Sequence, residues 1–188
     1  MPLTPVGDFV LGDYESSRPH VLGSIPSGIE GVRATLRIMV KIVREYKTDP
    51  NIVEFTAQLL RQCGVRPKDY SGEVKCLHNW VRDEIRYVRD VRDCETLRTP
   101  PEILRIMSGD CDDKSLLLAT MLEAVGYRTK FAAIGVRGGD YSHVLPFVLL
   151  GHSRIPLETI LDRDPHTGGP VEPGWFPPDA TRLMWGSV

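Results

Sequence analysis

Within GDCDDKSLLLATML, residues 109–122, one cysteine, Cys111, stands among three aspartates directly ahead of an apolar run. A helix beginning there would bring free amide hydrogens and the positive end of its dipole to the sulfur, favouring a nucleophilic thiolate. Asp110, Asp112 and Asp113 are residues that a helix start prefers, yet their charge opposes a thiolate. The sulfur therefore needs a partner. Histidine fits, because imidazole takes the thiol proton and later returns it to a leaving amine. Of five histidines, His143 begins a β-prone run one hairpin beyond the cysteine helix, so helix start and strand can meet. His20, His78, His152 and His166 fall in an arm, a helix and two turns, and read as ordinary side chains. An acid on the next strand would orient the ring. Glu158 lies across the GHS turn, and a turn centred near Leu150 and Gly151 sets it opposite His143. Asp162 shares its parity and is the second candidate. Backbone amides at the helix start, that of Cys111 included, would stabilise an oxyanion. Taken singly, the cysteine is a packed small side chain and the histidine an ordinary strand residue; their order along the chain is what suggests catalysis.

Those residues need elements to place them. From Ile29 to Tyr46, Val32, Leu36, Met39, Val40 and Val43 recur at helical spacing, with Arg33, Arg37, Lys41 and Arg44 between them. Asp49 and Pro50 open a second helix that stops at Gly64. Residues 71–87 place Val74, Leu77, Trp80, Val81 and Ile85 on one face, where Trp80 reads as core. Thr99 and Glu102 are spaced as a capping box for a short helix at TPPEIL. The cysteine helix runs to Gly126. Beyond it, YRTKFAAIGV, SHVLPFVLLG and RIPLETIL are β-prone runs separated by RGGDY and GHS, which predicts an antiparallel sheet. Pro146 and Pro156 then require an edge, a bulge or a strand start. The proline- and glycine-rich tail carries Trp175, Phe176 and Trp185 and reads as an ordered wrap. The expected class is α+β, a helical N-terminal half packed against an antiparallel sheet. Residues 1–28, with Pro2, Pro5, Pro19 and Pro26, read as an extended arm, and 29–188 as a single domain with its core at 74–161.

Composition narrows the function. With 188 residues, 41% hydrophobic and 26% charged, the chain can build one sizeable core. A net charge of −2, with both signs interleaved, implies no nucleic-acid and no membrane partner. No leader pattern opens the sequence and no run approaches the roughly 20 apolar residues of a membrane span, so a cytoplasmic protein is expected. Cys63, Cys76, Cys94 and Cys111 show neither dense spacing nor paired metal motifs, which predicts reduced thiols and no zinc. Cys94 precedes no clear long helix and is the weaker nucleophile. The aspartates lack the spacing of a calcium loop, and RGGD and TGGP do not continue into a lysine-bearing helix start, so neither metal nor cofactor is expected.

The run GDCDDKSLLLATMLEAVGYRTKFAAIG, then SHVLPFVLL, then IPLETI resembles the core of the transglutaminase-like superfamily, a papain-like group of thiol enzymes. The segments NWVRDEIRYVRD and ETLRTPPEIL are similar to the lead-in of compact bacterial and tailed-phage members. The resemblance covers 74–161. It implies a papain-like core with Cys111 as nucleophile, His143 as base and Glu158 as orienter; where the family commonly reads PLDPT, this chain reads PLETI. It implies a thiol hydrolase working through an acyl-enzyme on a protein or peptide substrate, a cysteine protease or amidase. Two alternatives stay open. The chain could be a protein-glutamine acyltransferase, its acyl-enzyme resolved by an amine for cross-linking or by water for deamidation, or the fold could be kept by a non-catalytic phage or bacterial binding protein.

Overall fold

The computed structural model describes residues 20–21, 28–89, 96–165 and 169–188. The expected arm lies outside these apart from strand β1 (His20–Val21) and Gly28, and Cys94 and His166 lie outside them as well. Helix α1 (Ile29–Tyr46) buries Leu36, Met39, Val40, Ile42 and Val43 and leaves Arg33, Arg37, Lys41 and Arg44 exposed, as the periodicity requires. Helix α2 (Pro50–Gln62) starts where Asp49 accepts the amides of Asn51 and Ile52 and Pro50 occupies a position that needs no donor. Helix α3 (Tyr70–Glu84) buries Val74, Leu77, Trp80 and Val81, and Trp80 meets Phe55 edge-on with ring centroids 5.1 Å apart, inside the core.

The chain then passes through β2 (Arg86–Tyr87), β3 (Thr96–Leu97), helix α4 (Pro100–Ile106) and β4 (Ser108–Gly109). Thr99 is the N-cap of α4, but the expected capping box does not form, because the Thr99 hydroxyl bonds Tyr46 instead. Helix α5 (Cys111–Ala124) runs through the centre, against α1, α2, α3 and α4 and the first two strands of the main sheet. Leu116, Leu117, Leu118, Ala119, Met121 and Leu122 are all fully buried. The helix lacks an apolar stripe because no side of it faces water.

The main sheet comprises β5 (Arg128–Val136), β6 (Tyr141–Leu150), β7 (Ser153–Pro156) and β8 (Ala180–Ser187), antiparallel in the order β7-β6-β5-β8. The pleat turns Phe131, Ala133, Val144 and Val148 into the helix-side core, and Ala132, Ile134, Leu145 and Phe147 into a smaller opposite cluster with Phe176. Pro146 lies in a central strand, but its residue faces the β7 side where β7 has already ended, and its carbonyl takes the Leu157 amide at 2.9 Å. Pro156 is the last residue of the edge strand. Both positions spare the ladder a missing donor. The architecture is α+β, as expected.

Two expectations fail. The tail is more than a wrap, since residues 180–187 form β8 and complete the sheet along β5. Cys63 and Cys76 are not reduced thiols but a disulfide that ties the end of α2 to α3. Their separation of 13 matches no paired-cysteine motif, and the link follows from the antiparallel packing of two neighbouring helices rather than from local sequence. Among the described residues, no helix is long and apolar enough to cross a membrane.

Candidate active site

Asp110 builds the start of α5. Its carboxylate accepts the amides of Asp112 and Asp113, each at 3.0 Å, which leaves the amide of Cys111 outside the cap. Asp113 turns away from the sulfur: it accepts the Arg98 amide at 2.9 Å and forms an ion pair with the Arg98 guanidinium. Only Asp112 engages the sulfur, as the acceptor of the Cys111 thiol at 3.3 Å. Gly109 lets β4 approach this turn, because a Cβ there would stand 2.5 Å from the Asp113 Cβ. Parallel pairing of β4 with β2 fixes the approach, with Val88 donating to the Gly109 carbonyl at 2.9 Å. Lys114 in the same turn is buried and donates to the carbonyls of Arg82 and Ile85, at 3.0 and 2.7 Å, closing the C-terminal end of α3.

The helix start meets β6 at Val144. The amide of Val144 bonds the Cys111 sulfur, and its carbonyl accepts the Ser115 hydroxyl at 3.0 Å. Cys111 and Ser115, one turn apart, thus occupy the edge of β6 beyond the end of β7. His143 is the preceding residue. Its Nε2 lies 2.7 Å from Oε2 of Glu158, whose Oε1 accepts the Ile160 amide at 2.8 Å. The register differs from the expected one. The turn is Gly151–His152, with Leu150 opposite Ser153, so Glu158 is not directly across from His143. It shares the same face and reaches diagonally, and the longer glutamate side chain spans that offset. A register shift in β5 between Ile134 and Gly135, opposite His143, bends the ladder here. Gly135 is required at the bend, since a Cβ would come within 2.8 Å of the Gly139 carbonyl oxygen. Asp162 is exposed and makes no bond to the imidazole.

Burial, followed by the charges of Asp112 and Asp110, pushes the Cys111 thiol well above its ordinary range; the Val144 amide pulls the other way. Burial and the two aspartates thus favour the thiol form of the side chain. Burial alone would raise Glu158, but the hydrogen bond from His143, the charge that ring carries when protonated, and the Ile160 amide outweigh it and hold the carboxylate ionised. An ionised carboxylate can only accept, so the imidazole proton sits on Nε2. Nδ1 is then the basic nitrogen, and it is buried without a hydrogen-bond partner. The arrangement orients an imidazole on the residue next to the one whose amide bonds the thiol; the thiol itself donates to Asp112, and Nδ1 makes no hydrogen bond to it.

Sequence reasoning overlooked His78, Lys114, Ser115 and Arg98. His78 was legible in principle: it lies one turn beyond Val74 and one before Val81, a polar residue on the buried stripe of α3. Nothing local marks the other three, whose partners lie far away in sequence.

The profile of the transglutaminase-like superfamily matches residues 57–159, more than half of the chain. Among solved structures, a "putative protease" from Parabacteroides distasonis superposes with a TM-score of 0.55 at 16% identity, covering 76% of this chain and 31% of its own. A "putative cysteine protease" from Cytophaga hutchinsonii gives a TM-score of 0.47 at 11% identity, covering 80% of this chain and 56% of its own. The chain thus spans about a third of the first protein and just over half of the second. No curated protein matches the sequence.

Proposed function

This chain belongs to the transglutaminase-like superfamily, and from that premise we propose that it is a thiol hydrolase, a cysteine protease or amidase, that works through an acyl-enzyme on Cys111. The observation that carries the reading is His143, with Nε2 committed to Glu158 and Nδ1 buried and unpartnered, next to the strand residue whose amide meets the Cys111 sulfur. Because Cys111 rests as a thiol, its proton passes to His143 Nδ1 as the sulfur attacks the carbonyl carbon. Glu158 stabilises the imidazolium that forms. The Cys111 amide, left outside the Asp110 cap, is the available donor for the oxyanion. Collapse of the tetrahedral intermediate breaks the carbon–nitrogen bond, and the amine leaves with the proton held on His143. Water then adds to the thioester, giving its proton to Nδ1, and the acid departs as Cys111 regains a proton.

A peptide library incubated with the full chain, with and without a primary amine, tests this reading. New carboxyl termini, absent with Cys111→Ala, are expected; glutamine-to-glutamate conversion in their place would favour the glutamine-directed alternative. Amine incorporation in place of hydrolysis would overturn the hydrolase in favour of acyl transfer. Identical libraries before and after exposure would favour a binding protein.

A further inference from the structure

We propose that His78 is a positioning residue of this site: from α3 it anchors the main chain at Glu158 so that the carboxylate is presented to His143. The proposal rests on the reading of Cys111, His143 and Glu158 just given. His78 is fully buried, and its Nε2 lies 2.6 Å from the Glu158 carbonyl oxygen. A carbonyl can only accept, so the ring donates from Nε2. Nδ1 lies 3.1 Å from the Asn79 carboxamide, which supplies an N–H when its oxygen and nitrogen are exchanged. Burial, and then the nearby Arg82, hold the ring neutral against the pull of its bonds and of the Glu158 charge, so one proton serves one acceptor.

The anchor matters because of where Glu158 stands. Strand β7 ends at Pro156, and the last ladder-like bond on this side is from the Leu157 amide to Pro146. Beyond it, the carbonyl of Glu158 is held by α3 rather than by the sheet. A glutamate has one more rotatable bond than an aspartate, and fixing its main chain restricts the positions its carboxylate can take. The other ionisable groups facing Glu158 are His143 and Lys114, and Lys114 ties the same end of α3 to α5. The nucleophile helix, α3 and the acid thus form one closed set of contacts.

The test is the Nε2–H proton signal of His143 in the full chain with labelled histidines, read as its protection from exchange with water, with thermal melting alongside. Glu158→Leu, which removes the acceptor, should lose the signal. His78→Leu, which keeps bulk and removes the donor to the Glu158 carbonyl, should lose it as well. His78→Gln, which can place an N–H near the Nε2 position, should restore it. A merely structural role would lower the melting temperature of His78→Leu and leave the signal in place. That result, with Glu158→Leu still losing the signal, would overturn the proposal and leave the site reading standing. If Glu158→Leu also kept the signal, the site reading would fall and the proposal with it. Should His78→Leu not fold, His78→Gln and His78→Asn decide: a protected signal in Gln and a lost one in the shorter Asn supports the anchor, and equal signals overturn it.

Discussion

Ser115 donates its hydroxyl to the carbonyl of Val144 at 3.0 Å, one helical turn beyond the cysteine whose sulfur meets the Val144 amide. A single residue of β6, the one after His143, is therefore gripped at both its polar groups by α5. Ser115→Ala leaves a buried carbonyl unpaired and should cost about 1–3 kcal/mol in a urea titration. It should also slow acylation of Cys111. A destabilised variant with unchanged acylation would separate the grip from the chemistry.

Asp112 opposes a thiolate through both its charge and the thiol hydrogen bond, whereas Asp110 acts by charge. Thiolate formation, and hence alkylation, should become easier when that charge is removed. Asp112→Asn should raise the iodoacetamide rate at Cys111 near neutral pH about tenfold, the equivalent of one unit in the thiol midpoint. Peptide mass mapping would follow Cys111 apart from Cys94. An unchanged rate would show that burial and Asp110 suffice to keep the thiol protonated.

Lys114 gives the fold a pH signature. Burial, its largest cause, lowers its pKa to about 8 in the folded chain, against about 10.4 when unfolded. Between those values the unfolded state binds the extra proton, so stability should rise with pH across that window. Two raised groups act in the opposite sense, the Cys111 thiol from about pH 8.5 and Tyr127 above about pH 10, so the Lys114 contribution is read as a difference between two proteins that share them. Urea midpoints measured from neutral pH to about 10 should shift in favour of the wild type over Lys114→Met as pH rises through about 8. Parallel curves for the two proteins would contradict the assignment.

The Cys63–Cys76 disulfide closes a loop with a sequence separation of 13, and its loss should cost about 3 kcal/mol on chain-entropy grounds. Denaturation with and without dithiothreitol, compared with a Cys63→Ser/Cys76→Ser variant, measures this. The disulfide contradicts the expectation of reduced thiols, which came from cysteine spacing; the cytoplasmic expectation came separately, from the leader pattern and the apolar runs.

What the sequence revealed, it revealed through local physics. Asp110 ahead of an apolar run announced the start of α5, Asp49-Pro50 announced α2, and β5 and β6 showed as β-prone runs on either side of the glycine-rich RGGDY. The register was less legible, because a two-residue turn at Gly151–His152 displaces Glu158 from the position opposite His143, and only the length of the side chain recovers the contact. β8 was hidden because Thr181, Leu183 and Trp185 are exposed, so its edge position blurs the usual pattern of one buried face. His78 was passed over because a histidine inside a helix has no local sign of a partner 80 residues away.

The central claim is that Cys111 carries an acyl group with His143 as its base. Its most direct test is to mix the full chain with p-nitrophenyl acetate near neutral pH, follow nitrophenol release, and locate acetyl groups by peptide mass. The account predicts a burst with acetyl on Cys111 that clears with time, no burst in Cys111→Ser, and acylation slower by about 100-fold or more in His143→Ala. Acetyl confined to surface lysines, or a Cys111 rate indifferent to His143, would contradict it.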